Sequence, residues 1–258
     1  MHIEIVTLKA TAPGSSGAAA TANTGDSLVV KNGKGVIKTL ATWATRQTAG
    51  FTQTITPSSH DTTRGYRAGV QAGQAMFTTP LGESLEFTGQ ETIAQTIAGS
   101  ATAGDIELDS LLMFYADFPG ITMRTITDGH MHSRLDMMTT VEASVAAVAT
   151  GEYSQEAITA DSDLLKANRD YAVLGMSSRT AAHALTIQSP DFGNIRVGVP
   201  GFLRPEITSQ FFALLSRIHG MACIPVFNSG NKAQVNIGFV ADENAAATLV
   251  TVYLALLK

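Results

Sequence analysis

The chain has 258 residues, of which 45% are hydrophobic and only 15% are charged, and its formal net charge is −5. A charged fraction of about 25% is typical, and this length suits one large domain or two smaller ones. Basic residues are absent between Ala68 and Met123 and clustered nowhere, which argues against a nucleic-acid arm or groove. The low charge favours a surface partly hidden against other subunits, because interface cores are depleted of charge. A neutral soluble monomer is the alternative.

The N-terminal region, residues 1–25, is predicted to be a short strand followed by a flexible arm. Residues 3–8 alternate in polarity, whereas residues 10–25 are small and have little to bury. The first nine residues lack the charged and long apolar regions of a signal peptide, so we expect none. No apolar run reaches the eighteen or so residues of a membrane span.

The first half, residues 26–122, consists of short alternating segments and is predicted to be a β-barrel. Asn32-Gly33 separates the apolar runs 26–31 and 35–40 and predicts a tight hairpin between them, since a type I′ turn needs positive φ at both positions. The run 105–115 alternates at first and then becomes apolar on both faces. This pattern is typical of a strand that enters a core.

The second half is predicted to be another β-barrel, residues 151–258, joined to the first by a junction at 123–150. Within the junction, residues 139–149 fit either helix or strand. One helix is predicted at 205–219, with Pro205 in its first turn and Gly220 as its stop. Its apolar face has helical spacing and consists of Ile207, Phe211, Leu214, Leu215 and Ile218.

A short pattern occurs twice, about 130 residues apart, and duplication is an informative sign of architecture. Thr48-Ala-Gly-Phe-Thr-Gln-Thr-Ile55 precedes Arg67-Ala-Gly-Val70, and Thr180-Ala-Ala-His-Ala-Leu-Thr-Ile187 precedes Arg196-Val-Gly-Val199. Each copy indicates strand, loop and strand. Arg67 and Arg196 fall at matching positions, where they either pair with acids of another subunit or flank a strand edge.

Asp128-Gly-His-Met-His132 is the strongest candidate for metal chemistry. Two histidines spaced by one residue on a strand share a face, which suits zinc in amidohydrolases. In those enzymes the motif opens a (β/α)8 barrel near the N terminus, whereas His130 and His132 lie in mid-chain. A polar loop at the junction is the favoured interpretation. We therefore assign no catalytic, cofactor-binding or metal-binding residue, and expect neither cofactor nor enzymatic activity.

The remaining polar motifs also favour structural interpretations. Ser229-Gly-Asn-Lys232 matches Ser-x-x-Lys, but it lies between two strands and is interpreted as a turn. Cys223 in an apolar run is interpreted as a small buried residue, which favours a reducing compartment. An acidic set without calcium-loop spacing is interpreted as a solvated face; it comprises Glu83, Glu86, Glu91, Asp105, Glu107 and Asp109.

Two β-rich halves, low charge and a small-residue arm resemble the small double-jelly-roll major capsid proteins of icosahedral bacterial viruses. The resemblance rests on size, duplication and strand rhythm, and the 205–219 helix fits it. It implies a mainly β fold with two tandem jelly-roll-like sandwiches or barrels. It also implies homotrimers that tile a shell in the virion after assembly in the host cytoplasm, contacts with other virion proteins and, in many members, an internal membrane. Sequence-specific binding of nucleic acid is not expected.

Two other functional classes remain open from the sequence. A metal-dependent hydrolase would use His130 and His132 and contain bound zinc. A β-sandwich that binds a receptor or a carbohydrate would form small oligomers and expose aromatic side chains on loops. The single tryptophan, Trp43, is predicted to lie in a strand.

Overall fold

A computed structural model of the chain forms two compact units, residues 6–119 and residues 120–258 together with 1–5. The structure describes residues 2–11, 23–29, 33–44, 51–59, 66–70, 85–98, 106–117, 123–146, 149, 152–158, 164–201, 204–241 and 247–258. The two units are described separately below.

The first eight strands form two four-stranded antiparallel sheets. One sheet has the order β1-β8-β3-β6 and the other has the order β2-β7-β4-β5. The strands are β1 (His2–Thr11), β2 (Asn23–Val29), β3 (Lys34–Ala44), β4 (Phe51–Pro57), β5 (Tyr66–Val70), β6 (Leu85–Thr88), β7 (Thr92–Ala98) and β8 (Ile106–Asp117).

The remaining strands and the three α-helices belong to the second unit. The strands are β9 (Thr125–Ile126), β10 (Leu135–Val145), β11 (Tyr153–Ala157), β12 (Asp170–Ser178), β13 (Ala182–Gln188), β14 (Arg196–Pro200), β15 (Ile224–Asn228), β16 (Asn236–Ala241) and β17 (Thr248–Leu257). The helices are α1 (Asp128–Arg134), α2 (Pro205–Thr208) and α3 (Phe211–His219). The sheets have the orders β10-β17-β12-β15-β9 and β11-β16-β13-β14.

Both units have the strand order of a jelly roll. Counting from β1 or from β10, one sheet contains the first, eighth, third and sixth strands, and the other contains the second, seventh, fourth and fifth. Eight strands in two sheets with Greek-key connections define this architecture. The chain is therefore mainly β, as predicted, with two successive jelly-roll sandwiches; β9 adds a fifth strand to one sheet.

The core of the second unit lies between its two sheets. Val141, Val250 and Val252 are fully buried on one sheet, and Ile187 and Phe239 on the other. Alternate residues of β17 point into this layer, which explains the alternating exposure of its first half. Its last four residues are buried on both faces, as expected where a strand is covered on both sides.

The predicted helix 205–219 is wrong as a single element, because Ser209 and Gln210 separate α2 from α3. Gln210 has φ −126° and ψ 20°, outside the helical region. The buried face of α3 consists of Phe211, Phe212, Ala213 and Ser216. Ile218, which belongs to the predicted apolar face, is 72% exposed. The helix also stops at Gly220 in the left-handed conformation, as expected.

The Asn32-Gly33 hairpin prediction is also wrong. The strands on either side of it, β2 and β3, belong to different sheets: β2 pairs with β7, whereas β3 pairs with β6 and β8. The chain therefore crosses from one sheet to the other here. Residues 30–32 lie outside the described residues, and Gly33 has a positive φ of 137°.

The repeated pattern falls on equivalent strands, but its arginines are not equivalent in register. Thr54 and Ile55 lie in β4, and Thr186 and Ile187 lie in β13, the fourth strand of each unit. Thr54 pairs with Arg67, whereas Thr186 pairs with Gly198 and Arg196 pairs with Gln188. The two arginines are therefore two residues apart in register.

The predicted junction and arm contain regular elements. Residues 123–150 hold β9, α1 and β10, so the ambiguous stretch 139–149 is a strand as far as Val145. The predicted arm contains β1 and the start of β2, and residues 12–22 lie outside the described residues. None of the helices in the described part of the chain has the length and apolar character needed to cross a bilayer.

Candidate functional site

His130 and His132 lie on helix α1, so the favoured interpretation as a polar loop is wrong, and the strand that the alternative metal site requires is also not found here. The Thr127 side chain caps the helix by accepting from the His130 backbone N–H. Residues two apart on a helix point in nearly opposite directions. Both histidines are exposed, and no group of three or more His, Cys, Asp or Glu among the described residues could hold a metal ion.

Asp128 uses its carboxylate to dock α1 against α3. Its Oδ2 accepts from Arg217 Nε at 3.1 Å, and its backbone N–H donates to Ser216 Oγ at 2.9 Å. Ser216 in turn donates to the Met221 carbonyl. The His132 Nε2 atom lies 3.5 Å from Asp128 Oδ1. These contacts give the Asp128–His132 segment a structural role in joining two helices.

Ser229 is buried in a 3₁₀ helix, Ser229–Gln234, between β15 and β16. Its hydroxyl donates to the Lys166 carbonyl at 2.6 Å and accepts from the Arg169 backbone N–H at 3.0 Å. The Ser-x-x-Lys segment thus lies in a connection between strands, as predicted. The hydroxyl is engaged with backbone groups and fixes the loop that precedes β12.

Arg124 and Asp170 form the main ion pair of the second unit. Arg124 donates from both terminal nitrogens to the two Asp170 oxygens, with 3.1 Å between Nη1 and Oδ1. The Asn228 amide also donates to Asp170 at 2.8 Å. The hydrogen bond from Arg124, opposed by partial burial, holds the pKa of Asp170 below its ordinary value. The same hydrogen bond raises the pKa of Arg124.

Asp191 extends this network to two further loops. Its Oδ2 accepts from the Asn228 backbone N–H at 3.0 Å and from the Asn231 amide at 3.2 Å. Its Oδ1 lies 3.9 Å from Arg124. The network therefore joins four segments: the residues before β9, the start of β12, the β13–β14 connection, and the end of β15 with the 3₁₀ helix that follows it. Sequence reasoning missed it, since its members are far apart in the chain and match no motif.

The acidic set does not behave as one solvated face. Glu91 is only 7% exposed, and its two carboxylate oxygens accept the backbone N–H groups of Ser59 (3.0 Å) and Thr88 (2.7 Å). It therefore fixes the turn before β7 to the end of β4. Glu86 is exposed. Glu83 and Asp105 lie outside the described residues, and Glu107 and Asp109 lie in β8.

Arg196 lies over an aromatic ring on the outer face of one sheet. Its guanidinium carbon is 4.3 Å from the centroid of the Tyr153 ring. The Tyr153 hydroxyl is 3.1 Å from Thr186 Oγ1, so the ring crosses β16. It does so at Gly238, where any Cβ would collide with the tyrosine ring. Arg196 is thereby held by a cation–π contact with its donors at the surface.

Cys223 and His183 are titratable residues that lie buried in the second unit. Cys223 is 1% exposed, as predicted, and burial raises the pKa of its thiol to about 11. A thiol with so high a pKa is a poor nucleophile. His183 is also 1% exposed, and burial lowers the pKa of its imidazole to about 3. It is therefore neutral at physiological pH.

The first unit has an open cleft of about 440 Å³ beside its edge strand β6. The cleft is lined by Lys34, Val36, Ser59, Glu86 and Thr88, with Gly35 and Phe87. Phe87 is 2% exposed and packs edge-to-face on Tyr115 at 5.1 Å between ring centroids. The cleft thus offers little aromatic surface for a sugar to stack on.

No protein-family model matches the chain. No curated protein matches it either.

Solved structures with some likeness to the chain include two viral proteins. The major capsid protein P2 from bacteriophage PM2 is 9% identical, with 98% of each chain covered and a TM-score of 0.21. A chain from the atomic structure of Sulfolobus turreted icosahedral virus is 11% identical; the match covers 98% of this chain and 59% of that one, with a TM-score of 0.23. The PBSX exported protein XepA is 9% identical, with 92% and 86% covered and a TM-score of 0.22. Because these TM-scores are low, the assignment of fold rests on the strand order of each unit.

Proposed function

We propose that the chain is a structural virion protein, a major capsid subunit that assembles into an icosahedral shell. The observation that carries the proposal is the strand order: two successive units each have the complete eight-strand order of a jelly roll. A shell subunit needs large specific surfaces and no reactive pocket. The low charged fraction of 15% supports extensive burial of surface between subunits.

The arrangement of polar groups supports a role without enzymatic chemistry. The carboxylate of Asp128, the hydroxyl of Ser229 and the carboxylate of Glu91 each hold one segment of the fold to another. Cys223 is buried with a raised thiol pKa. These side chains, which a catalytic hypothesis would use first, are engaged in structure.

The proposed partners are further copies of the same chain, as a homotrimer within a larger shell, together with other virion proteins. The proposed partners also include an internal membrane beneath the shell. Arg196 supports the proposed self-association, since its guanidinium is held on the Tyr153 ring and its N–H donors are exposed to an acid of another subunit. Direct sequence-specific binding of nucleic acid is not part of the proposal, because the net charge is −5 and basic residues are dispersed.

The proposal is tested by electron microscopy of the purified protein together with mass measurement in solution. Trimers or closed shells are the expected result. A stable monomer at high protein concentration would refute a capsid role. Elemental analysis provides the second arm: stoichiometric zinc that disappears when His130→Ala and His132→Ala are combined would favour a metal-dependent hydrolase instead.

A further inference from the structure

Strand β10 forms a long open edge of the second unit. It has eleven residues and comes first in its five-stranded sheet, where β17 is its one hydrogen-bonded neighbour among the strands that the structure describes. The other sheet of this unit has short edges: β11 and β14 have five residues each, and β14 ends at Pro200. An open edge strand presents unpaired backbone N–H and C=O groups to a further strand.

The N-terminal part of this edge is unusually apolar. Met137 is 43% exposed and Met138 is 55% exposed. Since neighbouring residues of a strand point to opposite faces, apolar surface is exposed on both faces of the sheet here. Met137 and Met138 are two of the five large apolar side chains that are exposed among the described residues. A third, Leu164, lies two residues before Lys166, which forms an ion pair with Asp136 at 3.6 Å.

The edge has few of the features that usually prevent strands from pairing. Natural edges are protected by lysine, proline, inward-pointing charge or a β-bulge. Residues 136–145 contain no Lys, Arg or Pro, and the bulge at Asp136 lies at the start of the strand. The two acids of β10 already have partners within the chain. Asp136 pairs with Lys166, and Glu142 accepts from Thr251 Oγ1 at 3.2 Å and lies 3.5 Å from Arg179.

We infer that β10 pairs antiparallel with β10 of a second copy of the chain, about a two-fold axis at Met138. A two-fold axis perpendicular to the sheet pairs each residue of one strand with a residue of the other copy whose side chain points to the same face of the sheet. This requires the axis to pass beside a residue that lies opposite the same residue of the other copy. At Met138, the two Met138 side chains meet and Met137 faces Thr139. An axis at Thr139 would set Asp136 against Glu142, two like charges, and is disfavoured.

The β-bulge at Asp136 marks the end of the regular edge. The pairing of β10 with β17 shifts between Leu135 and Met137 and then runs without interruption to Val145. Pairing at Met138 uses the start of this regular stretch, where the apolar side chains are exposed. Further along, Val141, Ala143 and Val145 are already buried in the unit. A second copy would therefore gain apolar burial only at the Met138 end.

This pairing names one surface through which subunits of the proposed capsid would associate, and it rests on that proposed function. The first test uses single cysteines, with buried Cys223 as an unreactive background. Directly opposed residues have Cα atoms about 4.5–5.5 Å apart, within disulfide range. We expect Met138→Cys to form a covalent dimer on mild oxidation. Thr140→Cys is the matched control, exposed on the same face, and its two copies would be about 14 Å apart.

The second test is electrostatic and needs no oxidation. Met138→Lys sets two lysines against each other and should raise the dissociation constant of the dimer about tenfold. Thr140→Lys places its charge opposite Asp136 of the other copy and should leave the dimer intact. Equal cross-linking of both cysteine variants, no cross-linking of Met138→Cys, or equal weakening by both lysines would overturn the inference.

The outcomes separate this inference from the proposed function. If the wild-type protein assembles but Met138→Cys does not cross-link, the pairing is wrong and the capsid role stands. If Met138→Cys cross-links but microscopy and mass measurement find nothing larger than a dimer, the pairing stands and the shell is wrong. A wild-type monomer at high concentration that also fails to cross-link refutes both.

Discussion

Replacing Gly175 by alanine should destabilise the second unit by forcing α2 away from its sheet. Gly175 lies in β12 opposite Tyr253, on the face that α2 covers. A Cβ at this position would lie 2.6 Å from the carbonyl carbon of Ser209 and closer still to the carbonyl oxygen of Thr208. Both obstacles are backbone atoms, so rotation of a side chain cannot relieve the overlap.

The size of the effect follows from this geometry. Reaching an ordinary contact of 3.4 Å from Ser209 requires a backbone shift of at least about 0.8 Å. Overpacking of this kind costs about 1–3 kcal/mol, which corresponds to a fall in Tm of about 3–10 °C for a unit of this size. The assay is thermal unfolding followed by circular dichroism, with urea unfolding for the free energy.

Gly129→Ala provides the control. Gly129 lies in α1, where an added Cβ would meet nothing within 4 Å. Alanine is a better helix former than glycine, so stability should be unchanged or raised by up to about 1 kcal/mol. If Gly175→Ala unfolds within about 1 °C of the wild-type protein, the direct packing of α2 on β12 is refuted.

Four further predictions concern polar groups. Arg124 lowers the pKa of Asp170 in the folded state below its ordinary value of 3.8. The stability that this carboxylate contributes is therefore present above pH 3.8 and is lost as the pH falls through the lower folded-state pKa. Asp170→Asn should therefore lose less stability than wild type in acid urea titrations, and an identical pH profile would contradict the ion pair. His183 also has a lowered pKa in the folded state, so as the pH falls its imidazole is protonated in the unfolded chain before it is protonated in the folded protein. The free energy of unfolding should therefore fall by up to about 1.4 kcal/mol per pH unit between pH 6.5 and about pH 3. His183→Gln should flatten this slope in urea unfolding between pH 6.5 and 4, and an unchanged slope would contradict burial. Glu91→Gln keeps one acceptor oxygen for two backbone N–H groups and should lower the free energy of unfolding of the first unit by about 1–3 kcal/mol; urea unfolding that matches wild type would show that the turn is held by other groups. Arg196→Ala removes the contact with Tyr153 and should cost about 0.5–1 kcal/mol in urea unfolding, and a larger loss would indicate that the guanidinium has further partners.

Local pattern was sufficient to predict the strands but not their partners. The alternation of residues 3–8 and of the first half of 105–115 indicates strands, because side-chain direction alternates along any strand, and β1 and β8 lie there. Pairing depends on residues far away in the chain. Asn32-Gly33 shows this: the turn signal is strong, yet β2 and β3 belong to different sheets. In this jelly roll β4 and β5 pair as neighbours whereas β2 and β3 go to opposite sheets, and a local turn signal contains no information about that choice.

The helix prediction failed for a related reason. Spacing indicates which residues can share a face, but the docking of α1 decides which face is buried. Asp128 binds Arg217 and the hydroxyl of Ser216, so a polar residue of α3 is buried while Ile218 is exposed. The ion network around Asp170 was equally beyond prediction. Its members come from four separate segments, and each looks like an ordinary surface residue.

The position of β17 has a consequence for synthesis of the protein. The strand lies between β10 and β12 and pairs with both along nearly its whole length. The two neighbours are made more than seventy residues earlier, yet neither can complete its ladder until residues 248–257 have left the ribosome. The exposed backbone of β10 and β12 would meanwhile be open to other nascent chains. Folding of this unit is therefore expected to wait for the synthesis of β17, so that the interval between β12 and β17 helps to decide between folding and aggregation.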